Sequence, residues 1–401
     1  MKNKLKRWRL PSLFCAFMLF VAPFGASACG VENLPNSANS SSNSSSDNSA
    51  NSSSDNSANS SSEAGLDGVT ITQTSTVEYD YSVLPAYKEF ASIAKSEYLV
   101  PGLAEGIVPQ GMDVWNEKDL LLISGYFYNN TSGSPSSMIV AIDLKTGEHA
   151  GSYCLENIDG TPHTSHVGGL AVTEKNIFIA NNNQLFRIPL SQMELLGRSG
   201  TLKIVESIKV PTRASFCNYS DGVIWVGDFQ DESGSYETPE WRYMTNNDGK
   251  LYKAWAVGYK VKDTESEFSS ENWDSSTMEY ATPDYVLSIR KQIQGMTFVG
   301  DQIVLSRSYG RTNDSNLYVY NSPLKNEQDT SVMLNDKSVP VWFLDSGVFV
   351  KDYTTMSMSE GVTCYNDKVL VLFETGTKKY RNAKSPTDHV WSVALPAQNQ
   401  E

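Results

Sequence analysis

The chain has 401 residues, is 40% hydrophobic and carries a formal net charge of −14. A surface that negative repels phosphate backbones, which argues against nucleic acid as a partner, and it is poorly suited to direct contact with anionic lipid. Beyond residue 68 the cysteines are Cys154, Cys217 and Cys364, an odd number with no C-x-x-C spacing, so neither a disulfide framework nor a zinc motif is present.

The first ten residues, MKNKLKRWRL, hold five basic side chains, and an apolar run from Leu13 to Val21 follows. The small residues Ala26, Ser27 and Ala28 then precede Cys29. A basic head, a short apolar middle and a small-residue cleavage site describe a secretory signal over residues 1–28. The apolar run is shorter than the roughly 20 residues that span a bilayer. Losing this leader would take the net charge from −14 to about −19. Residues 36–62 contain only Ser, Asn, Ala and Asp, with SSSDNSAN repeated at 44–51 and 52–59. Such a segment has no apolar surface to bury, so residues 29–68 read as a disordered tether with a reach on the order of 30 Å.

The small residues ahead of Cys29 resemble the bacterial lipoprotein lipobox, with Ala26 where that family usually has leucine. The resemblance implies cleavage before Cys29, a lipid (diacylglycerol, palmitate-type acylation) on its thiol, and an extracytoplasmic domain anchored to the bacterial cell membrane. Ordinary cleavage at the same Ala-x-Ala site, giving a free secreted protein, is the alternative.

From residue 69 onward a hairpin unit recurs five times. The copies read GMDVWNEKDLLLIS, GLAVTEKNIFIAN, SFCNYSDGVIWVGD, GMTFVGDQIVLSRS and GVTCYNDKVLVLFE, anchored at Gly111, Gly169, Ser215, Gly295 and Gly361. Strand-rich repeats near fifty residues point to an all-β fold, a β-propeller occupying residues 69–401. Five blades are expected, or six if the 80-residue interval between Ser215 and Gly295 hides another. Third strands follow at 137–144, 184–190, 251–261, 316–320 and 389–395, and fourth strands near 149–155, 202–210, 285–290 and 341–344. The last blade lacks a fourth strand, which the alternating segment 69–81 is expected to supply as an N-terminal closing strand, with a short helix over 86–96. Turns from the first to the second strand of each unit are short, as are the visible third-to-fourth turns. The second-to-third connections, notably 125–136, 228–249, 308–315 and 375–388, are long, so one face is expected to be plain and the other to bind.

Two rings of polar side chains are expected near the axis on the elaborated face. Gln110, His166, Arg213, Gln294 and Glu360 precede the first strands, and Ser124, Asn182, Asp228, Arg307 and Glu374 follow the second. Aromatic residues in the long loops, Tyr309 and Trp241 among them, suit stacking on sugar rings. Basic groups such as Arg307 suit a carboxylate, uronate or phosphate. Asn182, Asp228, Glu360 and Glu374 offer the oxygen ligands that calcium or another divalent cation takes. The Glu360-Gly361 pair opening a blade, with Asn and Asp from others, is similar to the gluconolactonase/regucalcin group, and more distantly to NHL-type propellers. That resemblance implies a metal-dependent hydrolase or lactonase, with His166 as general base. No G-x-S-x-G, Walker, H-E-x-x-H or nucleotide glycine motif occurs. Three readings follow. The first is a tethered module, monomeric, binding a glycan or small anionic ligand through Gln110, His166, Arg213, Gln294, Arg307, Tyr309, Glu360 and Trp241. The others are the metal-dependent enzyme and a surface scaffold for other proteins.

Overall fold

The computed structural model describes residues 69–128 and 135–396. The signal segment, Cys29 and the tether lie outside the described residues. Five sheets, each built on four antiparallel strands, form the blades of a β-propeller. Blade 1 runs through Ile107–Trp115, Leu120–Phe127, Met138–Asp143 and His149–Glu156; blade 2 through Gly169–Val172, Asn176–Asn181, Gln184–Pro189 and Glu206–Lys209. Blade 3 comprises Phe216–Ser220, Val223–Gly227, Ala254–Lys260 and Tyr285–Ile289; blade 4 Ile293–Val299, Gln302–Arg307, Ser315–Asn321 and Phe349–Thr355. Blade 5 holds Ser359–Tyr365, Lys368–Phe373 and His389–Val393, and Ala94–Leu99 completes it. Within each blade we letter these strands A to D from the axis outward.

The glycine anchors of the repeat have a physical cause. A Cβ added at Gly111 would lie 2.5 Å from the main chain of Leu170, and one at Gly361 would lie 2.9 Å from the carbonyl of Gln110. Inner strands of neighbouring blades thus approach backbone to backbone, where no side chain fits. Farther out the blades splay, and large apolar side chains fill the five wedges between them. Trp225, Leu287, Met296 and Leu305 pack between blades 3 and 4; Val304, Leu317, Val371 and Trp391 pack between blades 4 and 5. Because both faces of each blade are covered, the B strands read as continuous apolar runs rather than alternating ones.

The five expected blades are present; the six-blade alternative falls, and three expectations need correction. The 80-residue interval holds no sixth blade: it contains a long B–C loop with a small hairpin (Met244–Thr245 with Leu251–Tyr252), the outer strands of blade 3, and the irregular segment 261–284. Closure comes from the N-terminal side, but through Ala94–Leu99 rather than 69–81. Ala, Lys and Glu give AKSEYL a helical propensity, which pairing with the open edge of blade 5 overrides. The helix is correspondingly short, Lys88–Ile93. Residues 69–80 instead strap over the seam between blades 5 and 1. Asp388 accepts hydrogen bonds there from the amides of Thr76 (2.8 Å) and Val77 (3.1 Å). Burial opposes the charge on Asp388, yet donors from His389, Thr76 and Ser75 hold its pKa down at about 2.

The second correction concerns outer strands. The segment 341–344, expected as the fourth strand of blade 4, falls mostly within Lys337–Phe343, which pairs in parallel with strand D of blade 3, and Phe349–Thr355 fills the blade 4 position. Of the 202–210 segment, only Glu206–Lys209 belongs to blade 2. Its beginning lies in Ser199–Lys203, which pairs in parallel with strand D of blade 1. Third, the opposite face is not plain. The C–D connections 190–205, 261–284 and 322–348 are long, and two of them deliver these extra strands to the preceding blade.

Candidate functional site

The B–C and D–A connections share one end of the propeller, and a cleft of about 520 Å³ opens there at the axis. Its floor is set by backbone irregularity at the start of the A strands. Register shifts interrupt the A–B ladders between Pro109 and Met112, between Ile293 and Gly295, and between Ser359 and Val362. Each bulge contains one residue of the first polar ring, namely Gln110, Gln294 or Glu360, and the local kink re-aims it toward the axis. Just before the A strands, Val167, Ala214, Gln292 and Met358 adopt positive φ (50°, 51°, 64° and 60°). Left-handed backbone at non-glycine residues costs on the order of 1–3 kcal/mol each and persists where the surroundings enforce it, as around binding sites.

Two carboxyls meet on the floor. Glu360 and Glu374 hydrogen-bond to each other, and each is almost fully buried. Gln294 donates to Glu360 Oε1 (2.9 Å) and Gln110 donates to Glu374 Oε2 (3.0 Å). Burial pushes both carboxyl pKa values up. For Glu360 the neighbouring Glu374 charge adds to the rise; for Glu374, held at about 7, Gln110 and Lys379 oppose it. Near neutral pH the pair therefore shares a proton, as two adjacent carboxyls do when both cannot ionise. It presents a donor and an acceptor side by side.

The walls are aromatic and polar. Phe229, Tyr236, Tyr309 and Tyr380 line the cleft, together with Asn182, Arg213 and His166. Arg213 lies over the Tyr236 ring at 5.6 Å. His166 stacks on Tyr126 with ring centroids 4.5 Å apart. The residue is exposed to the cleft on one side and backed by protein, with Tyr126 against the ring, on the other. That enclosure, reinforced by the Lys379 ammonium, drops its pKa to about 4, so the ring is neutral at physiological pH. Lys379 donates to the Tyr126 hydroxyl (2.9 Å) and sits about 5 Å from the ring centres of Tyr126, Tyr128 and Tyr380. Burial among these rings lowers its pKa.

The first polar ring thus lines the cleft as a set: Gln110, His166, Arg213, Gln294 and Glu360. The second divides. Asn182 and Glu374 join the cleft, whereas Ser124 is buried and donates to the carbonyl of Val167 (2.9 Å). Asp228 is fully buried away from the cleft lining, bound by Arg242 (2.8 Å) and by the amides of Arg213 and Trp255. Arg307 faces a separate groove between blades 3 and 4, and Trp241 stacks edge-on against Trp255. The four oxygen donors Asn182, Asp228, Glu360 and Glu374 are therefore not assembled around one point. Among the described residues no cluster of three or more His, Cys, Asp or Glu side chains is placed to hold a metal ion. Arg242 is the functional-face residue that sequence reasoning passed over. Its signal was weak: a charged residue between Trp241 and Tyr243 in a polar loop.

No family model matches the sequence, and no curated protein matches it at a significant level. Solved structures overlap it loosely. Hydrazine synthase of Kuenenia stuttgartiensis shares 11% identity over 72% of this chain and 96% of that one, with a TM-score of 0.33. BamB from Moraxella catarrhalis shares 13% identity over 83% of this chain and 100% of that one, with a TM-score of 0.30. The WD40 domain of Neurospora crassa Pan2 shares 9% identity over 77% of this chain and 98% of that one, at the same TM-score. Overlaps this loose carry no argument about function, and the blade count rests on the strand ladders themselves. A propeller is consistent with a binding or scaffold role.

Proposed function

We propose that the protein is a binding module whose axial cleft takes a hydroxyl-rich, glycan-like ligand, neutral or carrying one acidic group. The observation that carries this reading is the proton-sharing pair Glu360–Glu374, framed by Gln110 and Gln294 on the floor of an aromatic-walled cleft. Neighbouring donors and acceptors match vicinal hydroxyls, while ring faces match the apolar faces of a sugar. With one proton shared, the pair carries a single charge, and Arg213 provides one cation for an acidic substituent. A glycosidase needs its carboxyls about 5–10 Å apart to admit the scissile bond or a water. A pair bonded to each other leaves no such gap, which favours binding over hydrolysis.

The reading includes the setting. A lipid on Cys29 would hold the propeller outside a bacterial membrane, with residues 30–68 as tether. Fractionation tests this part: Cys29→Ala is expected to move the protein from the membrane fraction to the soluble one, and unchanged membrane retention contradicts it. For the cleft, the test is calorimetric titration of the 69–401 propeller with neutral and uronic-acid oligosaccharides. Saturable binding lost in Glu360→Gln and retained in Trp241→Ala is expected. Binding indifferent to Glu360→Gln and Arg213→Ala would overturn the assignment.

A further inference from the structure

A second cleft on the same end of the propeller shares no lining residue with the axial one. It lies between blades 3 and 4, has a volume of about 550 Å³, and is walled by the blade 3 B–C loop, the turn into blade 4 and the outer part of blade 4. Five cationic side chains line it, namely Lys250, Lys253, Arg290, Lys291 and Arg307, against one carboxylate, Glu232. On a chain whose net charge is −14, such a concentration of positive charge runs against the background.

Three local acids, Glu232, Asp248 and Asp231, offset part of that charge and leave an excess of two cations. Glu232 stands 3.5 Å from Lys253 and 3.7 Å from Lys291, so one carboxylate is divided between two ammonium groups. Asp248 is 3.6 Å from Lys250 but also accepts from the Ser346 hydroxyl and amide. Asp231, a buried acid of the same loop, accepts from Gln292 Nε2 (2.9 Å) and the Ser233 amide (3.0 Å) and also feels the charge of Lys291. Arg307 is fixed by neutral acceptors, Gln292 Oε1 and Asn316 Oδ1. Arg290 is braced by three rings, lying 4.7 Å from the centre of Tyr318, 5.2 Å from that of Phe349 and 5.9 Å from that of Tyr320. Tyr252 takes one of the Arg290 donors, and a guanidinium set mainly by stacking keeps its charge and its remaining donors for another group.

An independent observation points the same way. Gln230 lines this cleft with 1% of its surface exposed, and its side-chain Nε2 has no hydrogen-bond partner. A buried amide donor without an acceptor costs free energy unless something fills it, and an oxyanion supplies the missing acceptor. We propose that this groove binds a ligand bearing two or more phosphate or sulfate groups. The spread of five cations over such a volume exceeds what a single inorganic anion would contact. Guanidinium and ammonium groups with a neutral donor beside them are the chemistry that recognises tetrahedral oxyanions. The site goes beyond the axial reading and does not depend on it.

The experiment titrates the full-length protein with pyrophosphate, with a sulfated oligosaccharide and with inorganic phosphate, at low and high salt. Either of the first two is expected to bind saturably and more tightly than inorganic phosphate, with affinity falling as salt rises. Binding of pyrophosphate alone would assign a small free anion, and binding of the oligosaccharide alone would assign a substituted glycan. Lys250 and Lys291 are largely solvent-exposed and can be changed without disturbing the core. The double variant Lys250→Glu/Lys291→Glu is expected to bind roughly tenfold more weakly, a loss of about 1.4 kcal/mol. Gln230→Leu, which removes the orphan donor isosterically, should weaken binding without lowering the melting temperature. No saturable binding of either polyanion, or binding equal in wild type and the double lysine variant, overturns the proposal.

Discussion

Asp228 and Glu374 occupy the same place in two blades, each the first residue after strand B, in blades 3 and 5. Their fates differ completely. Asp228 is sealed at 0% exposure, paired with Arg242 and capping two main-chain amides. Glu374 faces another carboxyl across the floor of the axial cleft. The difference lies in the loop that follows. The long blade 3 loop returns an arginine wedged by Trp241 and Trp255 (5.9 Å from each ring), and this neutralises the acid. The blade 5 loop returns Lys379, whose ammonium is taken up by three tyrosines instead. One acid became part of the scaffold, and the other stayed available for chemistry.

That contrast can be broken from either side. The largest effect is expected for Asp228→Ala, which strands a buried guanidinium and should cost about 3–5 kcal/mol in chemical denaturation. A loss below ~1 kcal/mol would mean that Arg242 does not depend on Asp228. The axial pair predicts a pH effect of opposite sense to the usual carboxylate. A raised folded-state pKa means more protons bound in the native than in the unfolded state between the ordinary glutamate value and about 7. The stability the pair contributes is present below its unfolded pKa and is lost as pH rises through 7. Glu374 alone accounts for on the order of 3 kcal/mol of this, from its shift of 4.5 to about 7. Melting curves from pH 5 to 8.5 should show this decline, and Glu374→Gln should flatten it; an identical slope in the variant contradicts the shared proton. Smaller still is the aromatic contrast. Tyr236→Ala, in the axial cleft, should weaken glycan binding by ~1 kcal/mol, whereas Trp241→Ala should leave affinity unchanged while lowering stability. Equal affinity losses in the two would erase the distinction between cleft and scaffold.

The blades were legible in sequence because the axis is crowded, so glycine recurs at Gly111, Gly169, Gly295 and Gly361, and because wedge packing makes B strands apolar throughout. The outer strands were not, since a blade rim is half solvated. Phe349–Thr355 alternates exposed and covered positions like many loops, and Ala94–Leu99 carries helix-forming residues. For the site, the first polar ring could be read from its fixed offset to each glycine. The pairing of Glu360 with Glu374 follows from ladder register, with Ser359 opposite Phe373, but only once the bulge beside it is known. Where the chain reverses its own electrostatics, as at Asp228, the partner sits in a loop without periodicity, and no pattern pointed to Arg242.

The strands lent across blade boundaries give the ring an uneven mechanical grain. Ser199–Lys203 ties blade 2 to blade 1 through main-chain hydrogen bonds, and Lys337–Phe343 ties blade 4 to blade 3 in the same way. Elsewhere the main chain crosses between blades by single bonds, such as Ala281 to Lys209 (2.7 Å) and Lys384 to Arg311 (2.9 Å), with side-chain packing and, between 5 and 1, a strap over the seam. Under load or heat the molecule should come apart as two stapled couples and a single fifth blade. The axial cleft draws its floor from blades 1, 4 and 5 and its walls from all around the ring, so it would be the first thing to go.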